Sequence, residues 1–183
     1  TRQTTENAAR MEAIVRIIER ITGSVGFLTS LIIIPLIVAT CYEVFSRYVF
    51  GAPTIWAFEL GYIITGTHFL LGAAIALLRG AHIRIDLIYS HFSEKTKAGV
   101  DLFFYLTLFL PFLVLLCESL FDYGFRAYLN GERSGASAWN PPIWPFRALL
   151  TAGFVLLALQ VVAEVLKCLA ILRGRPIPNT QRG

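Results

Sequence analysis

The sequence predicts an all-α membrane protein with four transmembrane helices. Its 183 residues are 56% hydrophobic and only 15% charged, whereas a typical soluble domain is about 45 to 50% apolar and about 25% charged. The mean hydropathy is correspondingly high, at +0.64. Four apolar runs reach the length of about 20 residues that a helix needs to cross a hydrocarbon core of about 30 Å. Most of the chain is therefore expected to be surrounded by lipid and not by water.

The first element in chain order is an amphipathic helix over about residues 5–21. Apolar side chains recur there at helical spacing, and charged side chains, Glu19 among them, occupy the other positions. The apolar positions are Met11, Ile14, Val15, Ile18 and Ile21. Such a helix suits the cytoplasmic interface of a membrane. Packing on a soluble partner, or direct continuation into the first span, would give the same pattern.

The predicted spans follow at about residues 25–48, 56–78, 100–125 and 143–172. Pro35 and Pro111 lie inside the first and third spans, and each is expected to kink its helix. The first span is longer than a signal-peptide core and no small-residue cleavage site follows it, so we expect it to be retained. No internal repeat is visible, and residues 1–183 are expected to form a single membrane domain.

The links between the spans differ in character. Residues 49–55 hold a tight turn on the letters GAP, whereas residues 127–142, AYLNGERSGASAWNPP, have the composition of a longer surface loop. The link between the second and third spans mixes apolar and charged residues. Asp86 or Ser93 is placed to cap a short helix in that link.

The positive residues predict the orientation of the chain. Of the 16 Lys and Arg residues, 12 lie before the first span, in the middle link or from Lys167 to the end of the chain, and 4 lie on the opposite face. Because Lys and Arg near span ends are retained on the cytoplasmic side, both termini are expected in the cytoplasm. An even number of spans requires the same side for both. This topology accounts for the net charge of +4, so no nucleic-acid partner is predicted.

Two ionisable residues border the tight turn between the first two spans. Arg47 ends the first span and Glu59 begins the second. Because the turn makes these spans antiparallel neighbours, we expect the two side chains to meet at the same depth and to pair. The pair would clamp the hairpin at its outer rim.

Polar residues deeper in the spans are expected to serve helix packing. His68 lies near the middle of the second span, on a stripe of small residues that includes Gly72 and lets another helix approach closely. Gln160 and Glu164 lie one turn apart in the fourth span and can hydrogen-bond to another helix. With Lys167, one turn further on, Glu164 can instead form a snorkelling ion pair.

The sequence offers no recognisable catalytic chemistry. It contains no phosphate-binding glycine loop, metal-ligand cluster or nucleophile triad, and its three cysteines show no CxxC pattern. A haem held between helices would need a second histidine at the depth of His68, but His82 and His91 lie in the middle link. We therefore predict neither enzyme activity nor a cofactor or metal.

The order of the motifs is similar to that of a known transporter family. The letters SRYVFGAPTIWAFELGYI, residues 46–63, are followed by FLLGAAIALLRGAHIRIDLIY, residues 69–89, and later by ERSGASAWNPPIWPFRALL, residues 132–150. This pattern resembles the small membrane subunit, of DctQ type, of tripartite ATP-independent periplasmic transporters. The resemblance covers about residues 25–172.

The resemblance implies an accessory role in uptake across the bacterial inner membrane. In such systems a periplasmic binding protein captures an organic anion, a large membrane subunit moves it with a sodium gradient, and the small subunit braces the large one. Carboxylates are the expected substrates, and the outer loops are expected to help seat the binding protein. The positions that match the family, expected at the hairpin and the subunit interface, are Arg47, Trp56, Glu59, Gly72, Arg79, His82, Arg84 and Asp86.

An independent small exporter or channel is the main alternative. Four-span drug exporters carry a glutamate deep in the first span, whereas Ile32, Ile33 and Ile34 occupy that depth here. A carrier that works alone should also show an internal repeat or broken helices around a central site. The sequence therefore favours an accessory subunit that is embedded in lipid and contacts other helices.

Overall fold

The computed structural model describes residues 2–80, 92–175 and 177, without the side chains of residues 2–5 and 7. These residues form helices, and the one β-type pairing among them is an isolated bridge between Arg133 and Pro142. The elements are α1 (Arg2–Val49), α2 (Ala57–Leu78), α3 (Glu94–Phe104), a π-helical segment (Tyr105–Phe109), α4 (Leu110–Leu129) and α5 (Trp144–Leu172).

Four helical stretches are long and apolar enough to cross a membrane. They are Ala8–Val49, Ala57–Leu78, Glu94–Leu129 and Trp144–Leu172. The all-α class and the four candidate spans are thus confirmed for the described part of the chain. The third stretch begins six residues before the predicted span at residue 100 because α3 adds a polar first turn, Glu94 to Lys97.

Helix α1 is longer than predicted and has no break near residues 22–24. The segment predicted as an amphipathic helix continues directly into the first span, which is one of the alternatives that the sequence left open. At about 1.5 Å per residue, 48 residues extend over about 72 Å. Helix α1 is therefore much longer than a membrane core is thick.

The junction of α3 and α4 shows how the chain accommodates a proline. Ser93 caps α3, with its hydroxyl oxygen accepting a hydrogen bond from the Thr96 amide at 3.2 Å, which confirms one of the two predicted caps. The π-helical segment Tyr105–Phe109 directly precedes Pro111. A π turn changes the backbone pairing where the proline lacks an N–H, so the stretch from α3 to α4 remains helical throughout.

The core of the bundle lies around α5. Ala74 and Leu77 of α2, Leu113 of α4 and Leu156, Leu157 and Val161 of α5 form one buried cluster. A second cluster joins Val15 and Ile18 of α1 to Ala163 of α5. Helix α5 contacts each of the other described helices, and it has the largest buried share among the four candidate spans.

The outward faces of the helices are apolar. Phe69 is 79% exposed, Phe27 66% and Leu115 64%, and such side chains recur along all four spans. A water-soluble protein rarely exposes apolar area on this scale. These faces are therefore available to lipid tails and to the helices of a partner.

Gly153 permits the close contact between α2 and α5. A Cβ atom at this position would lie 2.7 Å from Leu70 Cδ2 and 2.8 Å from Leu70 Cγ, so the whole Leu70 side chain would have to move. We expect Gly153→Ala to lower the free energy of unfolding by about 1 to 3 kcal/mol through overpacking. Thermal unfolding of the detergent-solubilised chain measures the change.

Gly61→Ala is the matched control for Gly153→Ala. A Cβ at Gly61 would meet nothing within 4 Å, and alanine favours a helix by up to about 1 kcal/mol over glycine. We expect Gly61→Ala to leave the unfolding midpoint unchanged or higher. Equal midpoints for the two variants would show that α2 and α5 are not closely packed at Gly153.

Candidate subunit-binding surface and its polar contacts

The polar contacts of the bundle lie in three places along its length. The loop end holds the turn 50–56 and the loop 130–143, and the termini end holds the first residues of α1 and the last of α5. The third place is the middle of α2, where His68 faces α1. Each place contains side chains that the sequence singled out, and each connects at least two helices.

A buried ion-pair cluster joins α1 to α5 toward the termini end. Lys167 Nζ lies 2.5 Å from Glu19 Oε1 of α1 and 2.7 Å from Glu164 Oε1. Gln160 Nε2 donates to the same Glu164 oxygen at 3.1 Å. Lys167 and Glu19 are buried, with side-chain exposures of 9% and 0%. The cluster therefore places charged side chains in the buried contact between α1 and α5.

The lateral contact predicted for the fourth span is formed, but by Lys167. Gln160 and Glu164 bond to each other, and Lys167 makes the contact to α1. The alternative ion pair of Glu164 with Lys167 is also formed, at 2.7 Å, but its ammonium is buried between two carboxylates and is not exposed as a snorkelling group would be. Glu19 was placed on the charged face of the amphipathic helix, and this placement is wrong: Val15, Ile18, Glu19 and Thr22 share the buried face of α1.

At the loop end, Glu43 closes the turn between α1 and α2. One carboxylate oxygen, Oε2, accepts hydrogen bonds from the Thr54 amide at 2.8 Å and from the Thr54 hydroxyl. The other oxygen, Oε1, accepts from Arg47 Nε at 2.9 Å and from Arg47 Nη2 at 2.5 Å. Trp56 stacks on Tyr42 beside the turn, with ring centroids 6.1 Å apart. Glu43 thus links the end of α1 to the start of the second span.

The predicted pair of Arg47 and Glu59 does not form. Arg47 binds Glu43, one turn away on its own helix. Glu59 is fully buried and accepts a hydrogen bond from the Ser134 hydroxyl at 2.8 Å, while its Oε2 has no partner among the described residues. Arg47 bonds within its own helix and Glu59 bonds to the loop 130–143, so similar depth did not bring the two side chains together. Glu59 instead connects α2 to the loop 130–143.

A double-mutant cycle distinguishes the two arrangements of the hairpin. We expect Glu43→Ala to lower the free energy of unfolding, because it removes the hydrogen bonds that Thr54 and Arg47 donate to one carboxylate. Arg47→Ala should be strongly coupled to Glu43→Ala. Arg47→Ala and Glu59→Ala should be additive within about 0.5 kcal/mol. Thermal or denaturant unfolding of the single and double variants gives these values, and a large Arg47–Glu59 coupling would contradict the structure.

Arg147 joins the loop 130–143 to α4 and α5. Its Nη1 donates to Glu132 Oε2 at 2.7 Å and to the Tyr123 carbonyl at 3.2 Å. Its guanidinium carbon lies 3.5 Å from the centroid of the Tyr123 ring, a cation–π distance. Only 10% of the side chain is exposed. One side chain on the first turn of α5 therefore fixes both the end of α4 and the start of the loop.

In the middle of α2, His68 contacts the backbone of α1. His68 Nδ1 lies 3.1 Å from the Thr29 carbonyl oxygen. Because a carbonyl only accepts, Nδ1 carries the proton and Nε2 is left as an acceptor in the neutral ring. The expected packing of another helix against His68 is thus found within the chain, through Thr29 of α1.

The remaining positions predicted for the subunit interface are only partly described by the structure. Arg79 follows the last residue of α2 and is exposed, and Gly72 lies on α2 with open space around it. His82, Arg84 and Asp86 lie outside the described residues. The roles of these residues at a subunit interface therefore stay predictions.

Several polar partners come from distant segments and were not predicted from the sequence. Arg147, Glu132, Ser134 and Thr54 were not singled out, although an arginine one turn inside an apolar helix is a signal for a buried ion pair. Glu19 was recognisable by its spacing from Val15 and Ile18 on one helical face. Nothing in the local sequence indicates the contact of Ser134 with Glu59, because 75 residues separate them.

Comparison with known proteins assigns most of the chain to one family. The family model for the DctQ component of tripartite ATP-independent periplasmic transporters matches residues 36–170. This range includes α2 to α4, nearly all of α5 and the part of α1 that precedes the tight turn. The search of curated proteins found no match.

Proposed function

The chain belongs to the DctQ family of tripartite ATP-independent periplasmic transporter components, and from this premise we propose that it braces the large transport subunit of such a transporter. Proteins of this family are the small membrane subunits of these systems. The observation that carries the proposal is the family match over residues 36–170. It covers most of the chain that the structure folds into the membrane bundle.

The way in which the polar side chains are used supports a bracing role. Lys167 joins α1 to α5, Glu43 closes the turn between α1 and α2, and Arg147 fixes α4, α5 and their loop. A transporter that moves solute needs polar groups that converge on a central site. Here the buried charges hold the helices of one chain to each other, which suits a rigid scaffold.

The distribution of positive charge supports an orientation with both termini in the cytoplasm. Of the 16 Lys and Arg residues, 12 lie at the termini end or in the link after α2. Lys and Arg residues near span ends are retained on the cytoplasmic side of the bacterial inner membrane. The loop 130–143 then faces the periplasm. In this orientation the first turns of α1 reach out of the cytoplasmic leaflet or along its surface.

The transport cycle that we propose is sodium-coupled uptake of an organic anion, with carboxylates as the expected class. A periplasmic binding protein delivers the anion, the large subunit moves it, and this chain keeps the large subunit in place. The loop 130–143 is the surface of this chain that would contact the loaded binding protein. It is held to the bundle by Glu59 and Arg147, so it presents a fixed shape.

Reconstitution tests the proposal directly. The large subunit and the binding protein encoded with this chain are expressed with it and without it, and uptake of a radiolabelled carboxylate mixture is measured in proteoliposomes with an inward sodium gradient. We expect uptake to require this chain, and we expect a tag on this chain to recover the large subunit in mild detergent.

Two outcomes would overturn the proposal. Full uptake without this chain would show that the large subunit needs no brace. Flux through liposomes that contain this chain alone would support the independent exporter or channel instead. A sodium gradient that has no effect on uptake would remove only the sodium coupling.

A further inference from the structure

A groove between α1 and α2 is open on the outside of the bundle. Its volume is about 320 Å³, and it runs from Arg79 at the end of α2 past Gly72 to His68, with Gly26 and Ser30 of α1 along the opposite wall. No side chain of the described residues fills it. The groove therefore offers a concave surface that carries polar side chains, whereas the larger groove between α4 and α5, of about 490 Å³, is lined mainly by apolar side chains.

His68 places an unused hydrogen-bond acceptor in this groove. Its Nδ1 donates to the Thr29 carbonyl, and its Nε2 has no hydrogen-bond partner among the described residues. His68 lies near the middle of α2, where a membrane supplies no water. A polar atom left without a partner in hydrocarbon is costly. The occupant of the groove should therefore carry a hydrogen-bond donor at this depth.

The walls of the groove allow close approach of a second backbone. A Cβ atom at Gly72 would meet nothing within 4 Å, so the space above this residue is empty. Gly26 of α1 is already covered by α2, since a Cβ atom there would lie 2.9 Å from Ile75 Cδ1, so the open part of the groove lies beside Gly72 and Ser30. A helix that packs here can thus bring its own backbone near His68.

The charge at one end of the groove adds a second requirement. Arg79 is exposed at the end of α2 that the proposed orientation places at the cytoplasmic interface. Its guanidinium has no carboxylate partner among the residues that the structure describes. An occupant with an acidic side chain at that interface would complement it.

We propose that this groove receives a transmembrane helix of the large transport subunit, with a hydroxyl, amide or indole donor opposite His68 Nε2 and a carboxylate near Arg79. The inference rests on the proposed function, because it takes the large subunit as the partner. A lipid acyl chain fits the apolar walls but has no donor for His68, so lipid is the less complementary occupant. A polar contact between helices at this depth also fixes their register.

Filling the groove from within the chain is the first test. Gly72→Leu places a side chain in empty space, so the chain alone should keep its thermal unfolding midpoint. It should lower recovery of the co-expressed large subunit in mild detergent by at least about tenfold. Gly99→Leu is the matched control, since Gly99 lies on α3 away from the groove and a Cβ there also meets nothing within 4 Å.

Two substitutions of His68 separate its two ring nitrogens. Asn places an amide near the position of Nδ1 and can still donate to Thr29, but it lacks an acceptor at the Nε2 position. Gln extends its amide oxygen to about the Nε2 position. We expect His68→Gln to recover the large subunit as the native chain does. His68→Asn should lose recovery about as strongly as Gly72→Leu.

The outcomes distinguish this inference from the proposed function. If the native chain fails to recover the large subunit, the proposed function itself fails. If the native chain recovers it and Gly72→Leu and His68→Asn recover it equally well, the groove is not the docking site. Loss of a bound lipid from Gly72→Leu in native mass spectrometry, with the large subunit still recovered, would assign the groove to lipid. Loss of a dimer of this chain alone would assign it to a second copy.

Discussion

Lys167→Met is expected to destabilise the chain more than any other single substitution of a charged residue that we consider. The ammonium is shared by Glu19 and Glu164 at 2.5 and 2.7 Å and is almost fully buried. Removing one partner from a buried ion pair costs about 3 to 5 kcal/mol. For a chain of this length that corresponds to a fall in the unfolding midpoint of roughly 10 °C. Tryptophan fluorescence of the full chain in detergent, recorded during heating, measures it.

A charge-balanced variant and a surface variant complete the Lys167 experiment. Glu164→Gln combined with Lys167→Met removes one buried carboxylate together with the cation, so it should recover part of the lost stability. Arg126→Ala breaks an ion pair with Asp122 whose two side chains are 71% and 60% exposed, and it should change stability by no more than about 1 kcal/mol. If Lys167→Met behaves like Arg126→Ala, the cluster does not hold α1 to α5.

The sequence was sufficient for the number of spans because that property depends on composition over about 20 residues. The membrane core supplies no water to bond the backbone, so every N–H and C=O group there must bond within the protein, and a long apolar helix satisfies this condition. The same reasoning could not place the start of the first span. The amphipathic helix was predicted to end at about residue 21 and the first span to begin at about residue 25, but α1 continues without a break through residues 22–24.

The pairing of polar side chains was harder to predict because depth alone does not determine it. Arg47 and Glu59 lie at similar depth on neighbouring helices, yet Glu43 is one turn from Arg47 on the same helix and is always within reach. A contact within one helix needs no particular packing angle, whereas a contact between helices does. Glu19 was predicted wrongly for a different reason. It was assigned to the charged face of the helix, whereas it lies on the buried face and pairs with Lys167.

The long contacts at the loop end depend on tertiary packing that no local pattern encodes. Ser134 reaches Glu59, and Glu132 reaches Arg147, only because the loop 130–143 folds back over the helix ends. Its backbone bonds, from Ser134 N to Pro141 O at 3.0 Å and from Ile143 N to Glu132 O at 3.1 Å, stabilise this shape. The composition predicted a loop, but not a loop whose side chains complete the bundle.

Arg147→Ala is expected to release the loop 130–143 from the bundle. The substitution removes the ion pair with Glu132, the hydrogen bond to the Tyr123 carbonyl and the stacking on the Tyr123 ring. Hydrogen bonds to a charged group contribute about 1.5 to 3 kcal/mol, and a desolvated cation–π contact up to about 2 kcal/mol. The loop should therefore exchange its backbone amides faster, and hydrogen exchange with mass spectrometry on peptides that cover residues 130–143 measures this.

Two further variants show whether the effect belongs to Arg147 and what the loop does. Arg147→Lys keeps the charge but loses the planar group that bonds Glu132 and Tyr123 together, so protection of the loop should be intermediate. Arg133→Ala removes an exposed arginine that donates to the Asn140 carbonyl within the same loop, and it should leave the contacts between the loop and the helices intact.

If the loop seats the binding protein, Arg147→Ala lowers uptake in the reconstituted transporter while the large subunit is still recovered. Unchanged exchange in Arg147→Ala would mean that the loop is held by Glu59 and its own backbone bonds, and that Arg147 only fills space between α4 and α5.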